Sequence, residues 1–379
     1  MDDFEKLKLT LLIALLKPIY RARAAKPLPE NPKTGKWYRI TPPNCVCANG
    51  APYHACIRLG KENKMLIVFN GGGVSVNAYT AARPGQISNV TAKESFYFED
   101  VDLIGDPVFD RGILRKNEHN PFSEWTIVSI CYASGDFHTG TADYPYTAMD
   151  GTPRILHHHG YTNYRAVMEQ VKSILPNPET LVVTGFSAGG FGAALLTDDV
   201  MGLFPSCEQV TCCVDGALLL YDWKHVATDV WKAPKEICDR LESINITSDA
   251  LKALHRKHGD KVKVLFISSV RDGALAQQQN FYETNHMVPD KPSGEKYQAD
   301  LRKMCEKLME ETPNIGLYIF DVPIPRLAEF KLTQHTIIFE NNVDKPVSGG
   351  VSALSWLWNA VNGKVTRVGL DLLDKVSQQ

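Results

Sequence analysis

The sequence has no excess of charge of either sign, no run of basic residues and no long apolar stretch. Its 41 Lys and Arg nearly balance 43 Asp and Glu, for a net charge of -2. A scattered, balanced charge argues against a surface for nucleic acid or for an anionic membrane. No segment approaches the ~18 apolar residues of a membrane span. We therefore expect no nucleic-acid partner and no stable membrane anchor.

Paired-cysteine motifs are also missing. The nine cysteines include no Cys-x-x-Cys pair, which argues against a zinc ribbon or a redox motif, and we expect neither a metal nor a cofactor. The modest, odd count favours a reducing compartment. Cys131, Cys212 and Cys213 lie in strand-like apolar runs, where we expect buried free thiols.

The N-terminus lacks the features of a signal peptide. Residues 9–16 are apolar, but acidic residues precede them and no clear cleavage site follows. We predict an amphipathic helix and then an exposed connector, so that residues 1–36 precede a single catalytic domain at 37–379. The expected location is the cytoplasm.

The chain does contain a regular alternation of short apolar runs and helical patterns. This alternation predicts an α/β fold of the hydrolase kind, with a mostly parallel sheet and helices on both faces. Two stretches that lack the rhythm, 85–124 and 222–260, are predicted to be insertions or lids. The predicted strands span 53–59, 65–69, 126–132, 181–184, 210–214, 262–268 and 315–320, and the predicted helices span 164–175, 299–309 and 351–361.

A candidate nucleophile, Ser187, lies where one of these strands turns into a helix. Residues 185–189 read Gly-Phe-Ser-Ala-Gly, between the apolar run 181–184 and an Ala-rich helical stretch. Glycines tolerate the sharp turn that exposes a serine, and the helix N-terminus directs N–H groups at a developing oxyanion. The motif alone is weak evidence, since a Gly/Ser turn can be purely structural, but its setting favours a serine nucleophile.

A glycine turn earlier in the chain completes the predicted oxyanion hole. Residues 70–73 read Asn-Gly-Gly-Gly and follow the strand at 65–69, the position from which this fold supplies a second donor. We predict that this turn supplies the second backbone donor, beside the N–H groups of the helix that follows Ser187. A phosphate-binding loop is disfavoured because neither Lys-Ser/Thr nor a Gly-x-Gly-x-x-Gly spacing follows.

The base and the acid should follow the serine in chain order. His335 is the last of the eleven histidines and comes after the final predicted strand. Asp272 and Asp215 each end a strand, and the position of Asp272 favours it as the acid, with Asp215 as the alternative. The acid would orient the His335 ring and stabilise its protonated form.

Three consecutive histidines, 157–159, could suggest a metal site. Consecutive residues cannot all face one ion, and no neighbouring Asp or Glu in the sequence completes a ligand set. We interpret them as a loop or a polar helix start. His138, beside Asp136, is interpreted either as a pocket residue or as a solvated turn.

The chain resembles the pectin acetylesterase/Notum family over about residues 50 to 340. The resemblance is most specific at the Ser-Ala-Gly-Gly sequence of the elbow. It is carried by residues 70–73, 185–190, 215–216 and 334–337, with support from Tyr53-His54, Cys131-Tyr132, Gly135-Asp136 and the stretch from His159-Gly160 to Asn163.

This resemblance implies an α/β-hydrolase-like fold and hydrolysis of carboxylic esters, typically acetyl esters of polysaccharides. It assigns the nucleophile to Ser187, the acid to Asp272 and the base to His335. It also implies that the oxyanion donors are the backbone N–H groups of Gly72, Gly73 and Ala188. Family members usually carry Trp and Cys after the glycine pair, where this chain has Gly73, Val74 and Ser75, so the acetyl-pectin specificity is open. Relatives are often secreted and disulfide-bonded, whereas this N-terminus lacks the features of a signal peptide. This difference favours a divergent, bacterial-type member of the family.

The expected substrate is therefore a small-molecule or glycan ester. Two alternatives stay open from the sequence. One is a lipase- or peptidase-like serine hydrolase with another specificity. The other is a relative that binds glycans without turning them over.

Overall fold

Short runs of β-branched and aromatic residues form a ten-stranded sheet in the computed structural model, which describes residues 25–85, 94–101 and 111–374. The strands of these residues are β1 (Lys26–Pro27), β2 (Trp37–Ile40), β3 (Ala55–Arg58), β4 (Lys64–Phe69), β5 (Pro84–Gly85), β6 (Tyr97–Phe98), β7 (Thr126–Ile130), β8 (Ala142–Thr147), β9 (Pro153–His158), β10 (Thr180–Phe186), β11 (Gln209–Asp215), β12 (Val262–Ser269), β13 (Gly316–Phe320) and β14 (Arg367–Val368).

The sheet order is β1-β2-β3-β7-β4-β10-β11-β12-β13-β14. Only the pairs β2–β3 and β3–β7 within this sheet are antiparallel. Two further pairs, β5–β6 and β8–β9, stand apart from it. The predicted mostly parallel α/β sheet is thereby confirmed.

Helices cover both faces of the sheet. They are α1 (Ala78–Ala81), α2 (Gly160–Ile174), α3 (Ala188–Leu203), α4 (Trp223–His225), α5 (Lys235–Cys238), α6 (Ile246–His258), α7 (Gly273–Thr284), α8 (Lys291–Glu311) and α9 (Ala353–Val361), with a π-helical turn at Val226–Val230 and 3₁₀ turns at Gly112–Leu114, Gly259–Lys261, Pro325–Phe330 and Leu370–Leu373. None of the described helices is long and apolar enough to cross a membrane.

Alternation along β4 shows how the core is divided. Met65, Ile67 and Phe69 pack with α2, α3, α6 and α8 on one face. Leu66 and Val68 point to the other face, where α9 packs. Because side chains alternate across a strand, a strand buried on both faces must be apolar at every position.

One sequence prediction needs correction. The stretch 222–260 is not irregular throughout, because Ile246–His258 forms α6, which the Asn245 side chain caps at Ser248 N. Its buried residues, such as Leu251 and Leu254, join the core, and its basic last turn suits the negative end of the helix dipole. Within the predicted connector, the exposed residues Lys26–Pro27 form β1, which pairs with β2.

Two predictions concern residues that the structure does not describe, and a third concerns the cysteines. The predicted N-terminal helix lies outside the described residues, as do parts of the stretch 85–124. All nine cysteines are described, and each is a buried thiol.

Strand register aligns the carboxyl ends of the central strands. Gly185 of β10 pairs with Phe69 of β4, and Phe186 pairs with Asp215 of β11. The segments that follow β4, β10, β11 and β12 therefore emerge at one edge of the sheet, which is where ligands bind in open α/β sheets.

Candidate active site

Ser187 occupies a strained turn between β10 and α3. Its φ of 57° and ψ of -128° are unfavourable for a residue with a Cβ. The flanking glycines are required by close packing, since a Cβ at Gly189 would lie 1.9 Å from the Phe69 carbonyl oxygen and one at Gly185 would lie 2.0 Å from the Gly189 oxygen. The turn leaves the Ser187 side chain partly exposed at the carboxyl edge of the sheet.

The glycine turn after β4 lies directly beside this serine. A Cβ at Gly71 would come within 2.8 Å of the Ser187 Cβ, so this position too must be glycine. Gly73 has a φ of +79°, a conformation that L side chains rarely adopt. The contact at Gly71 was not predicted, because the spacing of three glycines does not reveal which one approaches the serine.

The candidate oxyanion donors are free to bind a ligand. Gly72 and Gly73 use their carbonyl oxygens to accept from Phe98 N and Tyr132 Oη. Among the described residues, no acceptor is bonded to the N–H groups of Gly71, Gly72, Gly73 or Ala188. Ala188 is the first residue of α3, where the helix dipole also favours negative charge.

His335 and Asp272 form a hydrogen-bonded pair, with 2.7 Å between His335 Nδ1 and Asp272 Oδ2. Asp272 is fully buried and also caps α7, because its Oδ1 accepts from the N–H groups of Ala274 and Leu275. Thr333 brings the two together by a short parallel bridge to Asp272, with Gly273 N donating to the Thr333 oxygen over 2.9 Å. Both oxygens of the carboxylate are therefore fixed in direction.

The pKa of His335 is raised above its ordinary value. Burial opposes protonation of the ring, but the charge of Asp272, its hydrogen bond and the charge of Asp215 outweigh that cost. A raised pKa makes the ring a stronger acceptor for the proton of a hydroxyl group.

The His335 ring lies close to the elbow. Its Cε1 is 3.4 Å from the position of a Cβ at Gly216, and the preceding residue, Asp215, accepts the N–H of Ser187 through its carbonyl oxygen at 2.9 Å. Within the described residues, no hydrogen bond joins the Ser187 hydroxyl to His335. Such catalytic hydrogen bonds are often long in free enzymes and tighten when substrate binds.

Asp215, the alternative acid, bonds elsewhere. Its Oδ2 accepts from the N–H groups of Ile337 and Ile338 at 2.8 and 2.7 Å. Its Oδ1 has no hydrogen-bond partner among the described residues, and burial raises the pKa of this carboxyl to about 7. Asp215 thus anchors the backbone that follows His335.

In the wild type, the free energy of unfolding should decrease as the pH rises, because Asp215 loses its proton. Asp215→Asn is expected to abolish this part of the pH dependence. The folded-state pKa of Asp215, about 7, lies above the unfolded value of about 3.9. The folded chain therefore holds this proton more tightly, and the stabilisation present at acid pH is lost as the pH rises through about 7, by up to ~1.4 kcal/mol per pH unit. Urea unfolding at pH 5, 6 and 7 measures it, and identical slopes in the wild type and the variant would contradict the expectation.

A second buried carboxylate, that of Asp136, holds the segment that contains His138. Asp136 accepts hydrogen bonds from Ser134 Oγ and from the N–H groups of His138, Gly140 and Gly160. It ties the segment after β7 to the start of α2. Three of these donors lie within four residues of Asp136, whereas the bond to Gly160 joins segments that are distant in the chain and gives no sign in the sequence.

His138, which Asp136 holds, is neither solvated nor charged. The side chain is buried, which lowers its pKa to about 4, and its Nε2 lies 2.9 Å from the Asn70 carbonyl oxygen. Because that oxygen can only accept, Nε2 carries the proton and donates it. His138 therefore fixes the residue that precedes the three glycines.

The interpretation of the three consecutive histidines is wrong in two respects. His157 and His158 end strand β9 and only His159 lies at a helix start, and a carboxylate does lie beside two of the three rings. His158 is buried and bonds Ser134 O, whereas His157 and His159 face Asp143, a carboxylate on the neighbouring strand. The prediction searched for an acid nearby in sequence, but the antiparallel pairing of β8 with β9 provides one from fourteen residues away.

Two comparisons with known proteins bear on this geometry. The sequence model of the pectinacetylesterase family matches residues 39–286, which include Ser187 and Asp272 but not His335. The structure of the Wnt deacylase Notum from Drosophila aligns with a TM-score of 0.59 at 16% identity, over 87% of this chain and 94% of that one. At this identity the likeness concerns the fold, which is that of an α/β hydrolase.

Proposed function

Because this chain belongs to the pectinacetylesterase family, a family of carboxylesterases, we propose that it removes acyl groups, chiefly acetyl, from carbohydrate hydroxyls with Ser187 as its nucleophile. The carrying observation is the meeting of three features at one edge of the sheet. These are the strained serine, the glycine turn with its free N–H groups, and the hydrogen-bonded pair of His335 and Asp272.

In the first half-reaction, His335 Nε2 takes the proton of the Ser187 hydroxyl as its oxygen attacks the ester carbonyl carbon. The N–H groups of Gly72, Gly73 and Ala188 bind the oxygen that becomes negative, and Gly71 is close enough to the serine to contribute. His335 then gives its proton to the leaving sugar hydroxyl, which leaves an acyl group on Ser187. Asp272 keeps the ring oriented and stabilises its charge throughout.

In the second half-reaction, water enters in place of the sugar. His335 takes a proton from it, the hydroxide attacks the acyl-enzyme, and the same N–H groups bind the second oxyanion. The carboxylic acid leaves and Ser187 regains its proton. No step requires a group from outside the chain except water.

Tight packing around the glycine turn supports a short acyl group. A Cβ at Gly72 would lie 2.6 Å from Tyr132 Cδ1 and 2.8 Å from Phe98 Cδ2, so aromatic rings close this side of the turn. Next to the serine, Phe186 stacks on Phe339 with 4.6 Å between ring centroids. We infer a small apolar surface that suits a methyl group better than a long chain.

The proposal predicts release of acetate from p-nitrophenyl acetate and from acetylated oligogalacturonides. We expect kcat/KM to fall by about tenfold or more from the acetyl to the octanoyl ester, because added methylenes would meet the packed rings. Acetate assay and release of p-nitrophenol measure the two reactions, with the Ser187→Ala protein as the blank. Equal or faster turnover of the octanoyl ester would contradict a preference for acetyl groups. If the wild-type protein hydrolysed neither p-nitrophenyl acetate nor the acetylated oligogalacturonides, the proposed esterase activity would be contradicted.

A further inference from the structure

Antiparallel pairing of β8 with β9 assembles a group of metal-binding side chains on the surface of the hairpin. Asp143 and His157 are direct cross-strand partners, and His159, the residue after β9, contacts the same carboxylate. The intervening residue, His158, points the other way and is buried. We propose that Asp143, His157 and His159 form a binding site for a divalent zinc ion.

The donor atoms already converge on one point. His157 Nδ1 and His159 Nε2 lie 2.6 and 2.9 Å from the same oxygen, Asp143 Oδ1. All three donor atoms lie within 4.8 Å of one another. Zinc binds imidazole nitrogen and carboxylate oxygen at about 2.0–2.2 Å, so small rotations of the three side chains would exchange the two hydrogen bonds for bonds to one ion.

The chemistry of the set favours zinc over the hard cations. Two imidazoles and one carboxylate suit borderline transition-metal ions, whereas magnesium and calcium prefer ligands that are all oxygen. The side chains of His157 and His159 are 24 and 23% exposed, and that of Asp143 is 55% exposed. An ion could therefore enter from solvent and keep a water molecule as its fourth ligand.

The backbone that carries the three ligands is held on both sides. Six residue pairs join β8 to β9, from Ala142 with His158 to Thr147 with Pro153. His159 immediately precedes α2, whose first residue, Gly160, donates its N–H to the buried Asp136 at 2.8 Å. A site on a paired hairpin and a fixed helix start is pre-organised, so little ordering is needed when the ion binds.

The test is a zinc titration of the full-length protein after chelator treatment, in competition with a chromophoric zinc indicator. We expect wild-type protein to bind one more equivalent of zinc than the His157→Gln and His159→Gln variants, or to bind it about tenfold more tightly or better, since even residues that only support metal ligands contribute that much. Millimolar magnesium or calcium should not displace the ion.

His225→Gln provides the matched control. His225 is an exposed histidine that also bonds a carboxylate, with 2.8 Å between its Nδ1 and Asp229 Oδ2, but no second imidazole from the described part of the chain joins the pair. We expect this variant to bind zinc as the wild type does. Any zinc bound by buried cysteines would be bound equally by the wild type and by every variant. It would therefore not change the difference in bound zinc between them.

Cobalt provides a second measurement. Bound to the site, it should give a visible absorption band that is lost in Asp143→Asn and in both histidine variants. The proposal is overturned if the wild type binds no more zinc than the two histidine variants, or if only one of the two histidines affects binding.

Discussion

Ser187→Ala is expected to lower kcat/KM for acetyl esters by about 10⁵-fold or more, because the acyl-enzyme route needs the hydroxyl oxygen as its nucleophile. Alanine keeps the Cβ that already occupies the strained turn, so the elbow and the packing of α3 should persist. Residual hydrolysis would come from water attacking an ester bound at the glycine turn. Steady-state hydrolysis of p-nitrophenyl acetate measures the loss.

Ser206→Ala is the matched control for this measurement. Ser206 is an exposed serine whose hydroxyl bonds Asn177 Oδ1, and it follows the end of α3 that is opposite the elbow. It should keep full activity, and a fluorophosphonate probe should label it as it labels the wild type while leaving Ser187→Ala unlabelled. Activity of Ser187→Ala within about tenfold of the wild type would show that another residue is the nucleophile.

Asp272→Asn is expected to lower kcat by about 10⁴-fold, through the tautomer of His335. The N–H groups of Ala274 and Leu275 bond Oδ1 of residue 272 and would hold the amide oxygen of Asn there. Its amide nitrogen would then face His335 Nδ1 and donate to it. The ring would carry its proton on Nε2, where it cannot accept the proton of Ser187.

The pH profile distinguishes this role from a merely structural one. In the wild type, activity should fall as the pH drops below the raised pKa of His335, because a protonated ring cannot act as the base. Asp272 contributes most of the attraction that raises this pKa. In Asp272→Asn the acid limb of kcat/KM should therefore shift to lower pH.

Asp215→Asn is the control for the acid. Its amide oxygen can still accept from Ile337 and Ile338 N–H, so the segment after His335 should keep its place. We expect a loss of kcat within about tenfold, since the Asn variant then removes only the charge of Asp215 near His335. If both Asn variants lost kcat equally, Asp272 would have no special role.

Local patterns predicted most of the sheet. Apolar runs such as 65–69 and 262–268 differ from the observed strands by a residue at one end. Such runs are buried on both faces, and the pattern of burial is written in consecutive residues. The hairpin β8–β9 was not predicted, because its mostly exposed and half-exposed residues give no apolar run.

The candidate site residues differ in whether neighbouring residues in the sequence suffice to predict them. Ser187 lies in a motif whose strand, turn and helix are contiguous, so its strained conformation could be anticipated from residues 181–196 alone. The pairing of Asp272 with His335 could be proposed only from chain order. It depends on the bridge of Thr333 to Asp272, formed by segments about sixty residues apart.

By itself, the sequence determined the α/β fold and the strand–serine–helix turn, because each depends on the properties of neighbouring residues. The tertiary structure alone decided which of two buried carboxylates contacts His335, which glycine touches Ser187 and which acid faces His157 and His159. Each of these contacts joins segments that are distant in the chain. Strand register and the paths of loops set such distances, and neither is encoded in the spacing of a motif.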